Sequence, residues 1–340
     1  MSLPLPLLLG LVALGAAAFA AALILLLHPL MRRYALARPN ARSSHKVPTP
    51  QGGGIAVVAA CLIATGLALH LGWLGASTGF LVLSLAAVVL ACGGAVDDIR
   101  PLPVLPRLAI QVGAVAAAVT ALGEARLLPE LLPGPVELCL VILAGVWFIN
   151  LVNFMDGLDW MTVAEVVPVT GALALFALGG AMPADAGLLA AALLGAMLGF
   201  APFNRPVAKL FLGDVGSLPI GLIAGVLLYR LAAEGHFVAA LLLPLYYLAD
   251  ATLTLLLRLA RGEKVWQAHR SHFYQRATDN GFSVADVVGS VLLLNLVLAA
   301  LAAASLATAG PAAQVGLLLA GLAAVTIVLV RFARSRVEHA

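Results

Sequence analysis

Long apolar runs recur from one end of the chain to the other, and they constrain its fold more than any other feature. The chain has 340 residues, of which 63% are hydrophobic and 10% charged. A helix needs roughly 20 apolar residues to cross a bilayer. The runs therefore predict an all-α, polytopic membrane helix bundle, in place of the two soluble domains that length alone would suggest. Eleven runs are long enough, at about 3–28, 53–72, 74–96, 107–123, 135–152, 161–180, 187–203, 218–233, 237–258, 285–305 and 313–331.

The distribution of Lys and Arg predicts the orientation of this bundle. Eleven crossings place the two termini on opposite sides. If the N-terminus is periplasmic and the C-terminus cytoplasmic, 17 of the 19 basic residues fall on the inner side, and only Arg126 and Arg230 fall outside. Such a bias is typical of cytoplasmic loops. We expect one integral membrane domain over 1–340, with functional loops on the inner side near 31–53, 97–107, 150–160, 204–217 and 259–284.

Three other features narrow the class of protein. The N-terminal run Leu3–Leu27 has no basic segment before it and no small-residue cleavage site, so we interpret it as a retained first helix. Cys61, Cys92 and Cys139 are far apart in or beside apolar runs, which favours buried hydrophobic roles over a disulfide framework. The net charge of +3 gives no reason to expect a nucleic-acid partner.

The inner segment Asn150–Asp159 carries two amides and two carboxylates directly after an apolar run. Ionisable groups near membrane depth are costly and usually serve a site. If the segment stays helical, Asn150, Asn153 and Asp156 share one face, and Gly157 lets the backbone leave the helix close to it. A helix-terminating polar turn is the alternative interpretation.

Two segments earlier in the chain also face the predicted inner side. In Ser43–Gly54, three glycines open a helix whose N–H groups could receive an anion, with Lys46 as a counter-charge. Taken alone, this segment is more typical of an ordinary Pro/Gly turn with a basic residue on the inner side, and we favour the turn. Asp97 and Asp98 end the third span. Consecutive residues point in different directions on a helix, so one carboxylate can face a cleft while the other holds a neighbouring helix; a solvated loop pair is the alternative.

Two later segments complete the set. In Asn204–Ser217, Asp214 lies between two glycines, and it fits an N-cap carboxylate and a hard-metal ligand equally well. In the loop after the ninth span, His269 and His272 flank Arg270, which favours an anion or sugar-phosphate clamp. An HxxH pair can bind zinc, but no third ligand has a suitable spacing. Carboxylates and amides beside basic groups suit a divalent metal that also binds phosphate oxygens.

In this order, the segments resemble the polyprenyl-phosphate N-acetylhexosamine-1-phosphate transferase family of bacterial lipid-linked glycan initiation (glycosyltransferase family 4). The matching patterns are K-x-x-T-P-x-x-G-G at Lys46–Gly54, D-D at Asp97–Asp98, N-x-x-N-x-x-D-G-x-D at Asn150–Asp159, N-x-P-x-x-x-x-F-x-G-D-x-G-S at Asn204–Ser217 and a histidine-bearing last loop. Each pattern alone is weak, whereas five in order on one side of the membrane are specific.

The resemblance implies a reaction and a set of roles. HexNAc-1-phosphate would pass from a UDP-N-acetylhexosamine to undecaprenyl phosphate with release of UMP, as the first membrane step of surface polysaccharide synthesis. It implies Mg²⁺, with Mn²⁺ as a substitute, a location in a bacterial inner membrane with the site on the cytoplasmic face, contact with membrane lipid, and a homodimer as a candidate assembly. The implied roles are Asp97 and Asp98 as catalytic residues, Asp214 and Asn153 as metal ligands, and Lys46, Asn150, Asp156, Gly157, Phe211, His269, Arg270 and His272 as substrate-binding residues.

The last loop departs from two known branches of this family. It reads H-R-S-H-F-Y-Q at residues 269–275 and lacks both the triple histidine of the muramoyl-pentapeptide branch and the P-D-R-x-H-x-H-H pattern of the enterobacterial-antigen branch. This favours a branch that starts O-antigen or exopolysaccharide chains. A transporter or flippase for nucleotide sugars or lipid-linked sugars is the alternative function, but such proteins often show repeated halves, and no repeat is visible. A membrane scaffold would leave the clustered inner carboxylates unexplained.

Overall fold

The computed structural model describes residues 3–37, 48–74, 78–123, 125–265 and 269–335. Within these ranges the protein is nearly all helical, which confirms the predicted fold class. A two-stranded antiparallel sheet pairs β1 (Leu36–Ala37) with β2 (Thr49–Pro50). The helices are α1 (Leu5–Tyr34), α2 (Gly53–His70), α3 (Thr78–Ile99), α4 (Val104–Thr120), α5 (Gly134–Met155), α6 (Met161–Leu178), α7 (Ala184–Asn204), α8 (Asp214–Ala233), α9 (Phe237–Leu242), α10 (Leu245–Ala260), α11 (Phe273–Asp279), α12 (Val284–Leu306) and α13 (Pro311–Ala333).

Nine helices in the described ranges are long and apolar enough to cross a membrane: α1, α2, α3, α5, α6, α7, α8, α12 and α13. The apolar helix α4 is shorter. The protein is therefore a multi-pass membrane protein. The predicted continuous span 237–258 is wrong, because the chain breaks there into α9 and α10. Pro244 lies at this break as the N-cap of α10, and a proline cannot donate the backbone hydrogen bond that a continuous helix needs.

Three helices form the buried centre of the bundle. Most side chains of α6, α7 and α8 are buried within the protein, whereas α1, α3, α5, α12 and α13 present large apolar side chains outward. Helix α7 packs against α1, α2 and α6, and α8 packs against α3 and α5. Because α8 lies between α3 and α5, its N-terminus lies beside the C-terminal ends of both helices.

Two glycine contacts set the position of this N-terminus. A Cβ on Gly54, in the first turn of α2, would overlap the Cα of Gly216 in the first turn of α8. A Cβ on Gly94 of α3 would overlap the backbone carbonyl of Asp214. Any larger residue at these two positions would push the helices apart. The close approach of α2 and α3 to the start of α8 therefore requires glycine.

We predict that Gly54→Ala lowers the thermal stability of the purified protein, because the added methyl group meets backbone that cannot move aside; the expected loss is about 1–3 kcal/mol. Gly66→Ala in the same helix is the matched control, since its Cβ would meet Phe80 at an ordinary 3.6 Å. Thermal unfolding in detergent measures both variants. Equal midpoints for the two variants would contradict the packing described for Gly54.

Candidate functional site

The site is built around the N-terminus of α8, which is capped by a side chain from another helix. The Asp98 carboxylate at the end of α3 accepts hydrogen bonds from the backbone N–H of Asp214 (3.0 Å) and of Val215 (3.1 Å). Gly213 precedes the helix with φ of +78°, and a Cβ there would lie 2.7 Å from an Asp98 oxygen. Asp98 thus satisfies two N–H groups that lack partners within α8, and its negative charge lies at the positive end of the helix dipole.

The Asp214 side chain meets two of the other predicted residues. The Asn153 Nδ2 atom, in the last turn of α5, donates to Asp214 Oδ1 at 2.6 Å and lies 2.9 Å from the Ser217 hydroxyl oxygen. The Asp97 carboxyl is a close neighbour of the Asp214 carboxyl. The structure therefore brings Asp97, Asn153 and Asp214 together from α3, α5 and α8, as the sequence patterns predicted.

Asp97 is oriented by the loop that follows it. Its carboxylate accepts a hydrogen bond from the Leu102 N–H at 2.5 Å and an ion pair from Arg107 Nη1 at 3.3 Å. Arg107 keeps a buried Nε atom that has no partner among the described groups. Sequence reasoning treated Arg107 only as a basic loop residue, and nothing local in the sequence indicates that it faces Asp97.

The glycine-rich start of α2 does not offer its N–H groups to an anion. The N–H of Gly53 donates to the Phe211 carbonyl, and that of Gly54 to the Leu212 carbonyl, each at 2.9 Å. The Phe211 N–H in turn donates to the Pro50 carbonyl at 2.8 Å. This part of the anion-site interpretation is wrong, because a second loop already occupies both donors. The side chain of Phe211 is half-buried at this junction, and Lys46 lies outside the described residues.

The segment Asn150–Asp159 serves several different contacts. Asn150 and Gln111 of α4 form a buried pair in which each amide donates to the other, at 2.6 and 3.3 Å. Asn150 and Asn153 share a face of α5, but the helix ends at Met155, and Asp156 has non-helical dihedral angles. The prediction that Asn150, Asn153 and Asp156 share one helix face is therefore correct for the two asparagines and wrong for Asp156. The structure does not bring Asn150 to the Asp214 carboxylate.

Asp156 and Gly157 lie just beyond this helix end. The Thr162 hydroxyl donates to Asp156 Oδ1 at 2.5 Å. Burial raises the pKa of the Asp156 carboxyl to about 7, and the nearby Asp98 and Asp159 charges act in the same direction. A Cβ on Gly157 would overlap the hydroxyl of Tyr274, so the backbone lies directly against the histidine-bearing loop. Asp159 accepts a hydrogen bond from the Ala208 N–H at 2.9 Å.

The histidine-bearing loop is held by a second capping carboxylate. Asp250 of α10 is fully buried and accepts hydrogen bonds from the N–H groups of Phe273 (2.9 Å) and Tyr274 (3.0 Å) at the start of α11. Asp250 therefore fixes the first turn of α11. The ring of His272 is buried against the rings of Phe154 and Tyr274, with centroids 6.4 and 5.8 Å away.

The other two residues of this loop have separate surroundings. The ring of His269 lies 4.8 Å from that of His272, centroid to centroid, and its Nδ1 atom is 2.8 Å from the Ser271 hydroxyl. Arg270 pairs with Asp279 at 3.2 Å and donates to the Thr278 hydroxyl at 3.0 Å. Phe154 connects this loop to the site, because it follows Asn153 directly in the chain and stacks on His272.

The residues present fit a hard divalent cation only as a partial shell. Among the described residues, no group of three or more His, Cys, Asp or Glu side chains is placed to hold a metal ion. Mg²⁺ commonly takes one or two carboxylates and completes its octahedron with water and substrate phosphates. Asp214 would supply a carboxylate oxygen, and Asn153 would supply an amide oxygen only after its side chain turned, because its Nδ2 atom faces Asp214 in the structure. Ser217, which the sequence reasoning did not assign, lies one helical turn after Asp214 and contacts the same asparagine.

Comparison with known proteins shows what the chain is similar to. Residues 80–232 match the family model described as glycosyl transferase family 4. The chain is 29% identical over 294 residues to decaprenyl-phosphate N-acetylglucosaminephosphotransferase of Mycobacterium leprae, covering 76% of this chain and 73% of the relative. It is 34% identical over 228 residues to phospho-N-acetylmuramoyl-pentapeptide-transferase of Mycobacterium avium, covering 52% and 62%. It is 25% identical over 279 residues to probable undecaprenyl-phosphate N-acetylglucosaminyl 1-phosphate transferase of Bacillus subtilis, covering 76% and 75%.

A bundle of apolar helices with acidic and amide side chains converging at one end defines a multi-pass membrane enzyme. Glycosyl transferase family 4 is the family whose model the chain matches. Its relatives are phosphotransferases by name, and this protein is a membrane phosphotransferase of the same kind. The resemblance drawn from the five sequence patterns is thereby confirmed.

We predict that Asp156 makes the protein less stable as the pH rises. In the unfolded chain an aspartate loses its proton near its ordinary pKa, about 3.9, whereas the native carboxyl keeps its proton up to about 7. The native state therefore binds more protons across this window, and the free energy of unfolding falls from about pH 4 to about pH 7. Thermal unfolding of the wild type and of Asp156→Asn across this range measures the effect.

Asp156→Asn should lose part of this pH-dependent fall, because the amide still accepts from Thr162 but carries no proton to lose. Glu234→Gln, at an exposed carboxyl on the opposite end of the bundle, is the control and should keep the wild-type dependence. Parallel curves for wild type and Asp156→Asn would contradict the raised pKa.

Proposed function

We propose that this protein transfers HexNAc-1-phosphate from a UDP-N-acetylhexosamine to undecaprenyl phosphate, giving undecaprenyl-diphospho-sugar and UMP. The observation that carries the proposal is the meeting of Asp97, Asn153 and Asp214 at the N-terminus of α8. The names of the relatives support the acceptor class and the transferred group. The identity of the donor sugar is part of the proposal.

The reaction is a phosphoryl transfer, which needs positioning and charge neutralisation more than a covalent protein intermediate. An oxygen of the lipid phosphate attacks the phosphorus that bears the sugar. The bond from that phosphorus to the bridging oxygen breaks, and UMP leaves with the bonding electrons. If the lipid phosphate enters as its monoanion, it gives up one proton. We favour direct attack, because the Asp98 carboxylate already holds two backbone N–H groups and Asp97 is held by Arg107.

Asp214 and Asn153 would hold Mg²⁺ in this proposal, with Mn²⁺ as a substitute. The cation would neutralise phosphate oxygens and favour the departure of UMP. Ser217 supports this arrangement through its contact with Asn153. Asp98 fixes the backbone from which the Asp214 side chain projects. We therefore assign Asp98 the role of positioning Asp214. It makes no direct contact with the reacting atoms in this proposal.

Asp97 is the candidate to accept the proton of the lipid phosphate or to position that phosphate. Its ion pair with Arg107 holds the carboxylate near Asp214. The unpartnered Nε atom of Arg107 gives this arginine a remaining donor. Arg107 is accordingly our candidate for binding a phosphate oxygen beside Asp97.

The donor nucleotide would occupy the side of the site formed by the later loops. Asp156, Gly157 and the half-buried ring of Phe211 are the proposed nucleoside contacts, with Phe211 stacking on uracil. His269, Arg270 and His272 are the proposed contacts to the sugar or the diphosphate, and Lys46 a proposed phosphate contact. Asn150 is hydrogen-bonded to Gln111, so its proposed contribution is to hold α4 against α5.

A long isoprenoid needs an apolar groove that reaches the site from the bilayer. An apolar cavity of about 220 Å³ lies between α4, α5, α8, α9 and α10, and Trp147 and Phe148 of α5 line it together with Leu241 and Leu248. Phe148 precedes Asn153 by little more than one helical turn. We propose that this cavity receives the first isoprene units of the acceptor.

The site would face the cytoplasm, where nucleotide sugars are made. The strong bias of Lys and Arg supports this orientation. Both basic residues on the opposite side are paired with carboxylates: Arg126 with Glu137 at 3.0 Å and Arg230 with Asp185 at 2.7 Å. The proposed pathway is O-antigen or exopolysaccharide synthesis, and a homodimer is the proposed assembly.

The assay that tests the proposal follows UMP release by purified protein with undecaprenyl phosphate, a panel of UDP-N-acetylhexosamines and Mg²⁺. We expect Asp214→Asn and Asp97→Asn to lose at least about 100-fold in turnover, by analogy with the removal of single electrostatic groups from other sites. Ser217→Ala should lose about tenfold, as supporting contacts to metal ligands do. Glu234→Gln should keep full activity.

The same assay excludes the alternative function. Release of UMP that depends on both substrates and disappears in the two aspartate variants is inconsistent with a transporter as the primary activity. Absence of UMP release with every donor in the panel, from protein that is folded by its unfolding midpoint, would overturn the proposal and favour transport.

A further inference from the structure

An open cavity of about 500 Å³ lies at the C-terminal end of α13, and none of the residues assigned to the site lines it. Its apolar wall includes Phe282, which precedes α12, and Ile327 and Val330 of α13, while Arg331 and Arg334 form its polar end. Ile327 is 69% exposed and Val330 is 43% exposed, so in a membrane both would meet acyl chains. One face of α13 thus changes from apolar to cationic over about two helical turns.

Helix α11 shows that this cavity and the site lie at the same end of the bundle. The Tyr274 hydroxyl of α11 donates to the Phe154 carbonyl, next to Asn153, at 3.0 Å. Asn280, which directly follows α11, donates to the Phe332 carbonyl in the last turn of α13 at 2.7 Å. The seven residues of α11 span only roughly 10 Å. The cavity therefore lies where α13 would leave the membrane, on the side of the site.

Contacts with α12 and the segment before it hold the Arg331 side chain in the cavity wall. Its guanidinium carbon lies 5.3 Å from the centroid of the Phe282 ring, and its Nη1 atom donates to the Ser290 hydroxyl at 3.2 Å. The Phe282 ring is buried and packs edge-on against Phe332, with centroids 5.9 Å apart. A contact with an aromatic face and one hydrogen bond leave other guanidinium N–H groups available to an acceptor.

No carboxylate among the described residues forms an ion pair with either arginine of the cavity. Arginines at the inner end of a span are common, so their presence alone indicates only orientation. The arginine ion pairs within the described part of the chain involve Arg107, Arg126, Arg230, Arg258 and Arg270. One turn before Ser290, the Asp286 carboxylate accepts the Ser283 N–H in the capping box of α12. Two positive charges therefore line this cavity.

An anionic phospholipid matches both parts of the cavity. Its phosphate oxygens can accept hydrogen bonds from arginine, and basic pockets beside membrane helices on the inner side are typical sites for such headgroups. A soluble phosphate would leave the apolar wall uncovered, and a lipid without net charge would leave the two positive charges unbalanced.

We propose that this cavity binds an anionic phospholipid, with the headgroup phosphate at Arg331 and Arg334 and the acyl chains along Ile327 and Val330. The lipid site is separate from the residues assigned to phosphoryl transfer. It does not depend on the proposed function.

Native mass spectrometry of the full chain in detergent tests the proposal, with phosphatidylglycerol as the anionic probe and phosphatidylcholine as the neutral one. It resolves lipid-bound from lipid-free protein and gives an apparent affinity for each lipid. We expect Arg331→Gln combined with Arg334→Gln to weaken phosphatidylglycerol binding about 25-fold, because each basic residue near an anionic surface contributes about fivefold. Phosphatidylcholine should bind the wild type and this variant equally weakly.

Two further variants separate a site from a general effect of charge. Arg261→Gln combined with Lys264→Gln removes the same charge from exposed residues in the loop after α10 and should keep the wild-type affinity. Arg331→Lys combined with Arg334→Lys keeps both charges in the cavity and should retain most of the binding.

A measurement on the wild type alone supports the comparison of variants. Phosphatidylglycerol should raise the thermal unfolding midpoint in detergent, whereas inorganic phosphate at the same concentration should leave it unchanged. An equal rise with inorganic phosphate would replace the lipid site by a simple anion site and overturn the proposal. Equal phosphatidylglycerol affinity in the wild type and the glutamine variant at Arg331 and Arg334, or an equal loss in the control at Arg261 and Lys264, would overturn it as well.

Discussion

The hydrogen bonds from the Asp98 carboxylate to the start of α8 are the interaction on which the rest of the site depends. They join α3 to α8 at the point where Asp214 leaves the backbone, and they satisfy two N–H groups that the helix itself cannot pair. Asp250 caps the start of α11 in the same way. In both cases a carboxylate on one helix fixes the first turn of another, so that the loop residues beside each cap have a defined position within an apolar bundle.

Close packing allows this capping to occur. Helices in a bilayer gain little from burying apolar surface against each other, so small residues that let backbones approach contribute much of their association. Gly54 and Gly94 bring α2 and α3 against the first turn of α8. The same approach lets the Gly53 and Gly54 N–H groups pair with the carbonyls of Phe211 and Leu212. Packing and hydrogen bonding therefore stabilise the same arrangement at the N-terminus of α8.

Much of the fold and part of the site could be predicted from the sequence. Hydropathy predicted the helical bundle, because a spanning helix is a local property of about 20 residues, and the ordered patterns predicted that Asp97, Asn153 and Asp214 would meet. The partners of Asn150 and Asp97 could not be predicted in the same way. Gln111 and Arg107 belong to α4, and which face of α4 turns toward α5 depends on packing that no local pattern encodes. The break at Pro244 was likewise hidden inside an apolar run of sufficient length.

The charges of the three clustered aspartates are balanced in three different ways, and this difference separates their roles. Asp98 lies at the positive end of the α8 dipole and accepts two N–H groups, so its charge is satisfied within the backbone. Asp97 has Arg107. The Asp214 carboxylate accepts a hydrogen bond from the neutral amide of Asn153, and no basic side chain of the described residues pairs with it. Asp214 is held beside two other carboxylates and is paired only with an amide. Of the three aspartates it is the best suited to bind a cation, because a cation there would stabilise all three charges at once. In the proposed reaction, Asp214 is therefore the candidate metal-binding residue, and Asp97, with its arginine, is the candidate to face the lipid phosphate.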